Sequence, residues 1–84
     1  MTPDKIEEYI DKKERKDIPL NIHFKDRDTV KGIFIRSADY NELKSKNLWR
    51  IVSTNYLNDW EKTKNENLAR IFNGISFTRL TDDN

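Results

Sequence analysis

Apolar residues fall first at Ile6, Tyr9 and Ile10, an i, i+3, i+4 spacing that puts one narrow stripe on a helix. Thr2 is placed to cap it, and Pro3 suits the first helical position. Acids come early (Asp4, Glu7, Glu8) and bases late (Lys12, Lys13, Arg15, Lys16), in keeping with the helix dipole. Glu8 with Lys12 and Asp11 with Arg15 are acid-before-base pairs four residues apart. The spacing predicts a helix over 1–17. Three apolar side chains cannot sustain it alone, so it is expected to dock on the rest of the chain.

At Pro19 the period changes to two. Leu20, Ile22 and Phe24 alternate with Asn21, His23 and Lys25, which predicts a half-buried strand. Asp26-Arg27-Asp28 reads as a turn. Thr29 to Arg36 reads as a second strand, whose Gly32 marks a bulge, a bend or a close backbone approach. Residues 37–47 are polar and read as a loop, and Leu48 to Thr54 is a third strand. Residues 55–67 read as a long loop with room for a helical turn. Leu68–Phe72 and Ile75–Leu80 flank Asn73-Gly74, a strong signal for a two-residue hairpin with a type I′ turn. That register pairs Phe72 with Ile75 and puts Leu68, Phe72, Ile75 and Phe77 on one face. Thr81 to Asn84 reads as a frayed tail. The expected fold is mainly β in one domain, 1–84. Its parts are an N-terminal helix (1–17), a five-stranded, strongly bent small barrel of Sm-like or SH3-like type (18–80), and the tail (81–84).

Composition limits the function. Eighty-four residues leave room for one modest core. Without cysteine there is no disulfide framework or thiolate metal site, which fits a cytoplasmic setting. The first residues lack the apolar core of a signal peptide, and no apolar run suits a membrane helix. Charged residues make up 37% of the chain, yet the net charge is only +1, so the surface is evenly mixed.

Residues 18–32, from Ile18-Pro19-Leu20 through Asp26-Arg27-Asp28 to Val30-Lys31-Gly32, follow an N-terminal helix. With the alternating strand, the Asp-containing turn and the apolar residue two before a glycine, this stretch resembles the first motif of Sm-like proteins, closest to the bacterial Hfq branch. Asn73-Gly74 between two short strands resembles the second motif, and 55–67 fits the variable loop between them. There are departures. The turn glycine expected after Asp26 is Arg27, Asp39 sits one place late, and the aromatic-basic-His turn of Hfq is absent. The resemblance implies a small barrel, RNA binding and homo-oligomeric assembly. It places base-gripping loops near Tyr40-Asn41 and Asn73-Gly74.

An enzyme is hard to build from this chain. His23 is the lone histidine and alternates away from the apolar face, so a general base would lack a partner and a pocket. No nucleophile motif occurs. Asp26 and Asp28 are too few for a calcium loop, zinc ligands are too few, and Gly32 and Gly74 are too isolated to cradle phosphate. No cofactor is expected.

Nucleic-acid binding is better supported. Between Lys44 and Arg79, seven basic residues outnumber three acids. Tyr40, Trp49, Tyr56 and Trp60 are interleaved with them, a combination suited to single-stranded RNA. The competing reading puts the tryptophans in the core. The expected binding residues are Tyr40, Asn41, Arg70, Asn73, Gly74 and Arg79, with rings stacking on bases, amides meeting base edges and arginines meeting phosphate. The main rival is a protein- or peptide-binding adaptor using an aromatic groove lined by Trp49, Tyr56 and Trp60.

Overall fold

A computed structural model describes residues 1–12 and 18–82. The elements run α1 (Pro3–Lys12), β1 (Leu20–Phe24), β2 (Val30–Phe34), α2 (Tyr40–Ser45), β3 (Leu48–Ser53), α3 (Leu57–Thr63), β4 (Arg70–Asn73) and β5 (Phe77–Asp82). Thr2 caps α1 as its sequence predicts, its hydroxyl accepting from the Lys5 amide at 3.3 Å. The expected continuation of the helix over 13–17, the side chains of Lys12 and Arg15, and residues 83–84 lie outside the described residues.

The strands form one antiparallel sheet in the order β4-β3-β2-β1-β5. The sheet is strongly curved. Phe24 on β1 and Phe72 on β4 have ring centres 5.7 Å apart, although two strands lie between them in the sheet. In a flat sheet, three strand spacings would hold them about 14 Å apart. A β-bulge between His23 and Phe24, where β1 pairs with β5, adds to the bend. Among the described residues no ladder joins β4 to β5, so the sheet is not closed.

The expected Asn73-Gly74 hairpin does not form. β4 pairs with β3, β5 pairs with β1, and a 3-10 turn over Gly74–Ser76 connects them. Asn73 has φ −88° and ψ 118°, and neither glycine has positive φ. Because β4 and β5 lie on opposite edges of the sheet, a type I′ reversal would have no strands to pair, and the Asn73 side chain instead caps the 3-10 turn, accepting from the Ile75 amide at 3.0 Å. Ile75 therefore does not join the apolar face and is 64% exposed. Thr81 and Asp82, read as tail, instead extend β5 opposite Asn21 and Leu20.

Two apolar layers sandwich the sheet. Under α1 lie Ile6, Ile10, Leu20, Ile22, Trp49, Ile51, Phe77 and Leu80, with Phe24, Phe34 and Phe72 packed against them. The predicted stripe thus docks on the sheet: Ile6 is fully buried and Ile10 nearly so. On the other face Ile33, Ile35 and Val52 pack under Leu57, Trp60 and Ala69. This second layer is why 55–67 is not an open loop. Leu57 and Trp60 are three apart on α3, and both cover the sheet. The polar 37–47 stretch likewise contains a short helix, α2, which α1 holds by side-chain bonds described below.

Asn47 ties these parts together. It is left-handed (φ 59°), a conformation that asparagine tolerates better than most residues. Its side chain accepts from Trp49 Nε1 at 2.8 Å and donates to the Met1 carbonyl at 2.9 Å. Its own carbonyl accepts from the Gly74 amide at 2.8 Å.

Candidate functional site

Three pieces of chain meet at one open cleft of about 230 Å³. The β1–β2 turn contributes Arg27. The end of β3 and the 3-10 turn after it contribute Ser53, Asn55 and Tyr56. β4 contributes Arg70 and Phe72. Ile51, Val30 and Leu68 make its apolar wall. Sheet curvature creates the cleft, because it brings β4 over toward β1 and the turn beyond it. Among the described residues no carboxylate lines it. Tyr56 is 48% exposed.

The chemistry of this cleft differs from that of the other charged clusters. Arg36 is ion-paired with Asp11, and Arg50 with Asp39 at 2.7 Å. Among the described residues Arg27 and Arg70 have no carboxylate partner, and the Ser53, Asn55 and Tyr56 side chains have no hydrogen-bond partner. The Arg27 guanidinium lies 5.2 Å from the Phe24 ring centre and 5.3 Å from that of Phe72. An uncompensated pair of guanidiniums, a half-exposed ring and free amide and hydroxyl groups can bind an anionic ligand that carries a flat, hydrogen-bonding face.

The residues expected from sequence are not gathered in one place. Arg70 lines this cleft. Tyr40 sits against α1. Its hydroxyl donates to Glu7 Oε2 at 2.8 Å, its ring makes an edge contact with Trp49, and Arg36 lies 5.0 Å from its centre. Burial and the Glu7 bond push its phenol pKa up. Asn41 is exposed on α2. Gly74 is buried beneath α1, where an added Cβ would come within 2.6 Å of Ile6 Cδ1 and 2.3 Å of Asn47 Oδ1. Asn73 is exposed but occupied in capping the 3-10 turn. Arg79 lines a separate groove between α1 and β5, where Lys5 and Glu8 mix the charge. Trp49 is core at 2% exposure, and Trp60 is half-buried under Lys64. Of the three rings offered for an aromatic groove, only Tyr56 faces this cleft. Sequence reading missed Arg27, which looks like a turn residue. Its one signal was an arginine where the Sm-like pattern has glycine.

The cluster at α1 is better read as a clasp. Glu7 accepts from Lys44 at 2.5 Å as well as from Tyr40. These bonds, Lys44 first and Tyr40 second, hold the Glu7 carboxyl below its ordinary pKa of 4.5. A depressed carboxylate stabilises the fold above its unfolded pKa, and that contribution is lost as pH falls through the folded value. Glu7→Gln is therefore expected to lower Tm at neutral pH, with the gap to the parent shrinking as pH drops below about 4.5. Thermal melts across pH check this, and a gap independent of pH would mean the carboxylate charge is not what matters.

His23 is engaged at both nitrogens, by Thr81 Oγ1 at 2.9 Å and Thr29 Oγ1 at 3.3 Å. Among the described residues there is no cluster of three or more metal-ligating side chains, and no helix is long and apolar enough to cross a membrane. Comparison of the chain with protein-family models, with curated proteins and with solved structures returns no match.

Proposed function

We propose that this chain is a non-catalytic module for binding single-stranded RNA, a partly open small barrel of Sm-like type. The observation that carries the proposal is the cleft where Arg27, Arg70 and half-exposed Tyr56 meet with no carboxylate among the described residues that line it. Tyr56 offers a stacking face, Asn55 and Ser53 offer donors and acceptors to a base edge, and the arginines offer charge to phosphate. The non-catalytic part is supported by His23, whose two nitrogens are both taken by threonine hydroxyls. A cytoplasmic location and self-assembly belong to the proposal through composition and resemblance.

The test is a fluorescence-anisotropy titration with short uridine- and adenine-rich RNA oligomers. Binding is expected at low salt and should weaken steeply as salt rises, because phosphate contacts release counterions. Tyr56→Ala is expected to lose roughly 1–3 kcal/mol of affinity. No response at millimolar RNA would contradict the proposal.

A second reading, a peptide-binding adaptor, is favoured by one feature. Ile71 on the edge strand β4 and Ile75 just after it are 48% and 64% exposed, beside a backbone edge able to pair with an added strand. Binding to such a surface would barely respond to salt.

A further inference from the structure

We infer that Arg27 is the phosphate-positioning residue of the cleft, taking one backbone phosphate of the bound strand with a guanidinium already set in place by Phe24 and Phe72. The inference rests on the single-strand reading above. Five arginines lie among the described residues outside α1: Arg27, Arg36, Arg50, Arg70 and Arg79. Arg36 and Arg50 are neutralised by Asp11 and Asp39. Arg79 lies in the mixed-charge groove at β5. Arg27 and Arg70 remain in the cleft, and of these two only Arg27 is held by rings.

That difference matters chemically. A guanidinium held near aromatic rings by its charge does not spend its N–H donors on a carboxylate, so they stay available. Those donors match two phosphate oxygens at once. Asp26 and Asp28 flank Arg27 in sequence, yet neither is ion-paired with it. Packing on Phe24 and Phe72 also orders the long side chain before ligand arrives, which lowers the entropy lost on binding. A lysine keeps the charge and can lie over a ring, as Lys64 does over Trp60, but it lacks the planar fork and so cannot reproduce the two-point grip. Arg70, without a ring contact, needs only its charge.

Lysine exchange at each position separates these roles. In anisotropy titrations with the same RNA oligomers, Arg27→Lys is expected to bind about tenfold more weakly while keeping the parental salt slope. Arg70→Lys is expected to stay within about twofold of the parent. Arg27→Ala should also weaken binding, with a salt slope lower by about one. Melting curves confirm that each variant is folded. If the parent binds and Arg27→Lys binds equally well, Arg27 is not the positioning residue although the cleft reading stands. If the parent itself does not bind, both fail.

Discussion

Replacing Ile6 by aspartate is expected to remove about 4 kcal/mol or more of folding stability. Ile6 is fully buried in the layer that also holds Trp49, Phe77 and Ile22. A charge there would have no described partner, and burying an unpaired carboxylate costs more than about 4 kcal/mol unless it protonates. A domain of this length has roughly 4–13 kcal/mol of stability in all. Urea denaturation followed by tryptophan fluorescence checks this, since buried Trp49 reports on the same layer. A variant with parental stability would show that α1 is a free arm. The helix charges would then be candidates for partner binding.

Gly32→Val is expected to lower Tm by on the order of 15 °C, from an overpacking penalty of about 3 kcal/mol. The cause is space, not unusual φ. A Cβ at position 32 would lie 2.4 Å from the Val52 carbonyl oxygen and 3.0 Å from Ile51 Cγ2. The carbonyl is part of the β2–β3 ladder, in which Gly32 faces Ser53, so it cannot swing aside without breaking the pairing. This close approach goes with the curvature that brings Phe72 to Phe24, and so with the cleft itself. A melt within a degree or two of the parent would mean that the sheet can open at this point without cost.

The strands with clean alternation were legible from sequence. In β1 Leu20 and Ile22 face the core with Phe24, and period two needs no partner to be read. The α1 stripe and its Thr2 cap were legible for the same reason, since spacing and capping are local. What failed was long-range. β5 pairs with β1 across some sixty residues, and local patterning gives no sign of this. Asn73-Gly74 has the composition of a type I′ turn, but that turn would have paired β4 with β5, and these strands end on opposite edges of the sheet. α2 went unseen because its six residues bury no side chain fully. Tyr40 and Lys44 are held from outside by Glu7. The candidate site was half legible. Tyr56 and Arg70 stood out as ring and cation within a basic stretch. Arg27, about thirty residues earlier than Tyr56, joins them only because the sheet curls.

We propose that single-stranded RNA binds in the cleft at Arg27, Tyr56 and Arg70. The most direct test is to titrate a short RNA oligomer into isotope-labelled protein at low salt and map the amide and arginine side-chain shifts. The account predicts saturable shifts at Arg27, Ser53, Asn55, Tyr56 and Arg70, with Tyr40 and Gly74 unmoved beneath α1. Shifts centred on α1, Tyr40 and Gly74, or no shifts at millimolar RNA, would contradict it.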